Sequence, residues 1–236
     1  MPIPLINTPE FETILPSTQQ KIFYRPFLVK EEKVLFMALE GGDQNEIVNA
    51  VKNVLRSCII TDEVDVEKLA MFDIEYLFLQ LRGKSVGEEI QLRMKHINSQ
   101  CKHVSDVSVN IDDIKVHFNE EVSNKIMLTD KVGIMLNYPS MKTLEKMTEI
   151  RKADLDAIVK LIVEHTECIF DEKDVHDQFT NEEITQFVES LNTKQFNKVI
   201  EFFDKAPVLK HKIEWTCSAC GENDSLELRG LQSFFM

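Results

Sequence analysis

The stretch "IEWTCSACGENDSLELRGLQSFF", residues 213–235, sets a C-x-x-C pair, Cys217 and Cys220, directly before Gly221 and between two apolar alternations. It reads as strand, knuckle, strand. A pair of this kind supplies two ligands, whereas a closed structural zinc site takes four. Three readings stay open for Cys217 and Cys220: metal ligands, a bare structural turn, or a redox pair. A redox C-x-x-C normally opens a helix after a strand in a βαβ setting, and here strand-like sequence follows instead.

An internal echo offers the missing donors. "INSQCKHVSDVSVNIDDIKVHF", residues 97–118, repeats the skeleton of 213–235 with one residue of gap. An isoleucine leads by four residues to Cys101 or Cys217. Ile111 and Ile114 then match Leu228 and Leu231, and the copies end at Phe118 and Phe235. Two such units facing each other would form a zinc-ribbon-like site, with Cys217 and Cys220 from one and Cys101 and His103 from the other. Thiolate and imidazole suit zinc, and a tetrahedron of four protein donors serves structure alone. The C-x-H spacing of the first unit is one residue shorter than a good knuckle prefers.

Elsewhere, periodicity divides the chain. Residues 1–17 carry four of the seven prolines and read as an extended arm. "KIFYRPFL" (21–28) is a short strand that Pro26 limits to an edge or a bend. "KEEKVLFMALE" forms a helix stopped by Gly41-Gly42. A second helix places Ile47, Val51, Val54, Leu55 and Cys58 on one face, with Asp43 and Glu46 in an N-capping pattern. Between Leu69 and Leu81 the chain is apolar nearly all round, which predicts a buried helix, ended by Gly83 and Gly87. From 88 to 138 the period becomes two, the signature of strands. After Pro139 helices return in "DLDAIVKLIVEHTECIF", with Leu155, Ile158, Val159 and Ile162 on its stripe, then in "NEEITQFVESL" and "TKQFNKVIEFF" before Pro207.

The predicted fold is α+β: mostly helical, with a strand block and a terminal zinc-ribbon-like strand–knuckle–strand unit. Its segments are the arm 1–17, a mainly helical region 18–87, a β region 88–138 with the first knuckle, a helical region 139–206, and the terminal knuckle 207–236 packed on the β region.

Composition narrows function. With 27 basic against 40 acidic residues the net charge is −13, which disfavours wrapping a nucleic-acid backbone. The opening residues show no signal-peptide pattern, and no apolar run reaches a membrane span's length. Five cysteines, an odd number, then point to a reducing compartment. "EHTECIFDEKDVHD" (164–177) holds six carboxylates but lacks a calcium-loop pattern, so it reads as a solvated helix end and loop. No phosphate-cradling or nucleophile motif stands in the chain, and its seven glycines scarcely allow one. It reads as a non-enzyme. Met127, Met135, Met141 and Met147, with Ile126, Ile134 and Leu136, form core or an adaptable partner surface.

"YRPFLVKEEKVLFMALE", "FDIEYLFLQLRGKSVGEEI", "LTDKVGIMLNYPS" and "CSACGENDSLELRGLQSFF" occur in that order and together resemble the baseplate hub assembly protein family of T-even-type bacteriophages. The resemblance runs from about residue 18 to the C-terminus. It implies a hub subunit or an assembly chaperone of the contractile tail, in the virion baseplate or in host cytoplasm during assembly. Its partners would be other baseplate hub proteins, not nucleic acid or membrane. The resemblance also implies C-x-x-C at both knuckles; this chain has "CKH" at the first. "KIFYRPFL" and the exposed part of the 126–141 strand region are the expected contact surfaces, with core packing the alternative for each. Two other classes compete: a zinc-ribbon adaptor for nucleic acid or transcription machinery, and a thiol oxidoreductase using Cys217 and Cys220.

Overall fold

The computed structural model describes residues 6–95, 101, 103–119, 123–140, 143 and 154–230. Among these are eleven strands and six α-helices. The chain divides into two compact units, one of residues 1–117 with 208–236 and one of residues 118–207.

The first unit opens with a hairpin, β1 (Phe11–Ile14) against β2 (Lys21–Tyr24), with Phe11 opposite Tyr24. The arm is therefore paired from Phe11 onward, because the alternation of β2 offers β1 an open edge, and Leu15 is buried. Helix α1 (Val29–Gly41) starts where the Leu28 N–H donates to the Glu31 carboxylate, 2.8 Å. It stops at Gly42, whose φ of 70° only glycine adopts without cost. In α2 (Gln44–Cys58) the expected face is inside: Ile47, Val51, Val54, Leu55 and Cys58 are all buried. The Glu46 N–H donates to Asp43 Oδ1 at 3.2 Å, as a cap should.

Helix α3 (Met71–Ser85) is buried nearly all round because it serves two cores. Ile74, Leu77, Phe78 and Leu81 pack with Leu35, Val51, Leu55 and Ile22. Leu79 joins a second cluster with Ile90, Leu92, Val109, Leu209, Ile213 and Trp215. Each fully buried side chain of this size contributes about 1.5–3 kcal/mol, so α3 is the keystone of the unit. Gly83 does not end the helix. It lies inside it, and Ile111 occupies the space where a side chain would stand, 3.4 Å from a Cβ built there.

Beyond α3, β3 (Glu89–Lys95) pairs with β4 (Val104–Asn110), Lys95 opposite Val104. A 3-10 turn at Ile111–Asp113 leads to β5 (Lys115–His117).

The second unit carries a four-stranded antiparallel sheet: β6 (Lys125–Met127), β7 (Gly133–Leu136), β8 (Thr166–Phe170) and β9 (Val175–His176). Its helices are α4 (Leu155–His165), α5 (Asn181–Glu189) and α6 (Thr193–Asp204). The stretch expected to be one helix through Phe170 changes at Thr166, where β8 begins and pairs with β7. Leu155 consequently lies exposed, and the inward stripe of α4 is Leu161, Ile162 and His165. The acidic 164–177 segment is thus largely a hairpin rather than a loop. The core gathers Ile134, Leu136, Ile162, Val188, Val199 and Phe202.

The chain then returns to the first unit with β10 (Val208–Thr216) and β11 (Asn223–Arg229), and β10 lies between β11 and β5. The fold is α+β, but "mostly helical" overstates it: among the described residues 38% is helix and 28% strand. Thr166–Phe170, expected as helix, is strand, and Phe11–Ile14, expected as part of an extended arm, is strand as well. Met141, Met147, Ile97, Leu231 and Phe235 lie outside the described residues.

Candidate metal centre

Two hairpin tips build the site. Thr216 pairs with Asn223, so β10 and β11 are joined by six residues, Cys217 to Glu222. The Cys217 N–H donates to the Glu222 carbonyl and the Gly221 N–H to the Cys217 carbonyl, both at 2.8 Å. Gly221 closes the loop with a φ of 73°. This wrapping turns backbone N–H groups of Cys220 and Ala219 toward the Cys217 sulfur, and that of Glu222 toward the Cys220 sulfur.

The opposing tip joins β3 to β4 and contributes Cys101 and His103. Cys101 Sγ lies 3.7 Å from Cys217 Sγ, and the sulfurs of Cys101, Cys217 and Cys220 all lie within 4.8 Å of one another. A disulfide would bring two sulfurs to about 2.05 Å, so the 3.7 Å pair is not bonded. A tetrahedron with Zn–S of about 2.3 Å has an edge of about 3.8 Å, close to the observed spacing. All five cysteines are free thiols.

The electrostatics favour a thiolate. The Cys220 and Ala219 N–H groups, with the neighbouring thiols, bring the Cys217 thiol down to about 7, against desolvation. Cys220 moves the other way. Against the pull of the Glu222 N–H, desolvation and the two adjacent sulfurs raise it. Cys217 is only 1% exposed, Cys101 is half-buried and Cys220 faces solvent.

The three cysteines expected from the sequence therefore converge. His103 reaches the same tip, but its Nε2 is engaged with Ser218 Oγ at 2.8 Å. Ser218 had no sequence signal, because its role depends on the tips meeting. The echo also needs a new register. Cys101 precedes β4 by three residues, as Cys220 precedes β11 by three, so Cys101 corresponds to Cys220 and not to Cys217. The strands fix that correspondence, whereas the isoleucine spacing had concealed it. Cys168 and Cys58 stand apart, both raised above their ordinary values chiefly by burial, Cys58 to about 11.

The expected contact surfaces divide. In "KIFYRPFL", Ile22 and Tyr24 are core while Phe23 and Leu28 are exposed; in the 126–141 region, Ile134 and Leu136 are core while Met127 is exposed.

Among the described residues three thiols lie close enough to share a metal ion, and no helix is long and apolar enough to cross a membrane. The chain belongs to the T4 bacteriophage base plate protein family, whose model matches residues 8–236. No curated protein and no solved structure matches it. Membership places it among phage baseplate proteins, with a structural or assembly role and other baseplate proteins as partners.

Proposed function

We propose that this chain acts in the baseplate hub, as a subunit or as an assembly factor, through protein–protein contacts and without catalysis. In this reading Cys101, Cys217 and Cys220, with His103 as the fourth donor, hold a structural zinc ion that fastens the β3–β4 tip to the β10–β11 tip. The observation that carries it is the convergence of three sulfurs from two separate hairpins, one pair at 3.7 Å. To ligate, His103 exchanges Ser218 for the metal, a side-chain rotation at an exposed position. Bound zinc would supply cross-linking alone, since four protein donors leave no open position.

Protein purified without chelator should carry about one zinc per chain, lose it on Cys217→Ser, and unfold at lower temperature once stripped. A metal-free, fully stable product overturns the zinc site. His103→Ala should weaken zinc binding where Ser218→Ala does not; equal affinities remove His103 from the ligand set. For the hub, co-expression with the hub proteins of the same tail should yield a stable complex. Mass spectrometry of mature virions and assembly intermediates then separates a resident subunit from a departing factor.

A further inference from the structure

The three gathered thiols differ in what each can reach. Cys220 is exposed to solvent, Cys101 is half-buried and Cys217 is buried. Their sulfurs nevertheless lie within 4.8 Å of one another, with Cys101 Sγ 3.7 Å from Cys217 Sγ. Sulfurs so close reach the bonded distance of about 2.05 Å through side-chain rotation and a small shift of one tip, without unfolding. Cys58 and Cys168 are buried outside this group.

Two pairings of Cys217 compete, and they differ in strain. Cys217 and Cys220 share one loop, whose shape is already set by the Cys217 N–H on the Glu222 carbonyl and the Gly221 N–H on the Cys217 carbonyl. A bond across Ser218 and Ala219 must form inside that wrapped backbone, and strained disulfides are the readily reduced kind. Cys101 stands on a separate hairpin tip, 116 positions from Cys217 along the chain. A bond closing so long a loop takes more freedom from the unfolded chain than one between near neighbours. The fold therefore favours Cys101–Cys217 as the lasting bond, while Cys220 is the sulfur that an oxidant in solution meets.

We propose that Cys101 and Cys217 are a latent disulfide site, closed by a small-molecule disulfide such as oxidised glutathione that enters at Cys220. The Cys220 thiolate attacks one sulfur of the oxidant and expels a first thiolate, leaving a mixed disulfide. Cys217 attacks the Cys220 sulfur and expels the second. Cys101 then attacks the Cys217 sulfur, and Cys220 departs as a restored thiolate. The protons of the attacking thiols end on the departing thiolates. In sum two protein thiols are oxidised to one disulfide, and the oxidant is reduced to two thiols. The new bond fastens the β3–β4 tip to the β10–β11 tip, as the proposed zinc ion would, so a protein made among reduced thiols keeps its closure in an oxidising medium. Bound zinc would hold the sulfurs that must attack, so metal and oxidant compete. That competition rests on the zinc site proposed above; the pairing itself does not.

The test takes the full chain, stripped of metal and incubated with oxidised glutathione. Free thiols are then blocked with N-ethylmaleimide in mildly acidic denaturant, and the unreduced digest is mapped by mass spectrometry. Cys101–Cys217 should exceed Cys217–Cys220 by about tenfold or more at equilibrium, with Cys220, Cys58 and Cys168 recovered as blocked thiols. The oxidised chain should melt above the reduced, metal-free one, and dithiothreitol should cancel the gain. Cys220→Ser should slow the reaction about tenfold and leave its product unchanged, whereas Cys101→Ser should divert it to Cys217–Cys220. Cys217–Cys220 as the end product, no bond among the three, or a Cys101–Cys217 bond that leaves the melting temperature unchanged overturns the site. An unaltered rate in Cys220→Ser overturns the entry route. Zinc added beforehand should slow the reaction about tenfold. A chain that binds no zinc yet forms Cys101–Cys217 removes the zinc reading and keeps the latent bond; a chain that binds zinc and pairs Cys217 with Cys220 does the reverse.

Discussion

His165 in the second unit and Arg82 in the first are both polar side chains set among aromatic rings, and they are treated in opposite ways. His165 Nδ1–H donates to the Leu161 carbonyl at 2.9 Å, which leaves Nε2 to accept from the Thr143 hydroxyl at 2.8 Å. The imidazole also stands edge-on to Phe203, with 5.6 Å between ring centroids. Both nitrogens are satisfied and the tautomer is fixed. Arg82 Nη1 has nothing. Among the described residues the two buried side-chain polar atoms without a partner, Arg82 Nη1 and Trp215 Nε1, both belong to the first unit, as do the three gathered thiols. Among the described residues, then, the polar groups buried in the second unit have partners, and the unpartnered ones lie in the first.

The contrast can be attacked at both ends. The largest effect should come from Gly133→Ala in β7. A Cβ there would stand 2.2 Å from the tip of the Phe170 ring, which packs in the sheet, and 2.9 Å from the Ile126 carbonyl, which belongs to the paired backbone and cannot swing aside. A loss of about 3 kcal/mol or more is expected. Hydrogen exchange should show protection collapsing across residues 125–204 and surviving in α3; loss spread evenly over both units would break the comparison.

A smaller effect should appear at Asp73, which is fully buried at the start of α3 and accepts from the Ser17 N–H at 3.1 Å and from the Ser17 hydroxyl. Burial pushes its carboxyl up to about 6, against the pull of Ser17. The folded state therefore holds its proton more tightly than the unfolded chain. That contribution to stability is complete below about pH 4, falls as pH rises to about 6, and stays lost above, about 2–3 kcal/mol in all. Asp73→Asn keeps the acceptor for the Ser17 N–H and donates its NH2 to the Ser17 hydroxyl instead of accepting from it, and should flatten this decline in urea titrations run from pH 4 to 7. A decline of unchanged size would assign it elsewhere.

The smallest effect should be a gain. Arg82→Met fills the same space without an unpaired donor, and should raise the urea midpoint by an amount worth about 1 kcal/mol with an unchanged slope. A destabilised variant would mean that Arg82 is a structural group, and the contrast with His165 would vanish.

Much of this architecture was legible because it is local. The face of α2, the stop at Gly42 and the alternation of β3, β4 and β10 depend on residues within a few positions of one another. The all-round apolar character of α3 correctly signalled burial. What escaped depends on distant partners. Thr166–Phe170 continues the apolar spacing of a helix, and becomes a strand because β7 offers it a neighbour. Gly83 looks like a terminator until Ile111 takes its place. The three cysteines were legible from spacing, while their pairing across the echo was not, since only the strand ends set that register. The cavity beside Arg82 had no sequence signature: it exists where α1 comes down beside α3, and neither segment predicts the other.

The discontinuous make-up of the first unit bears on how the molecule is born. Among the described residues strand β5 pairs only with β10, which emerges some ninety positions later, and Cys101 meets its two companions only after the second unit has been made. During synthesis, therefore, the front half waits for β10 and β11 while the segment between is already outside the ribosome, and closing the first unit means bringing together two stretches translated far apart in time.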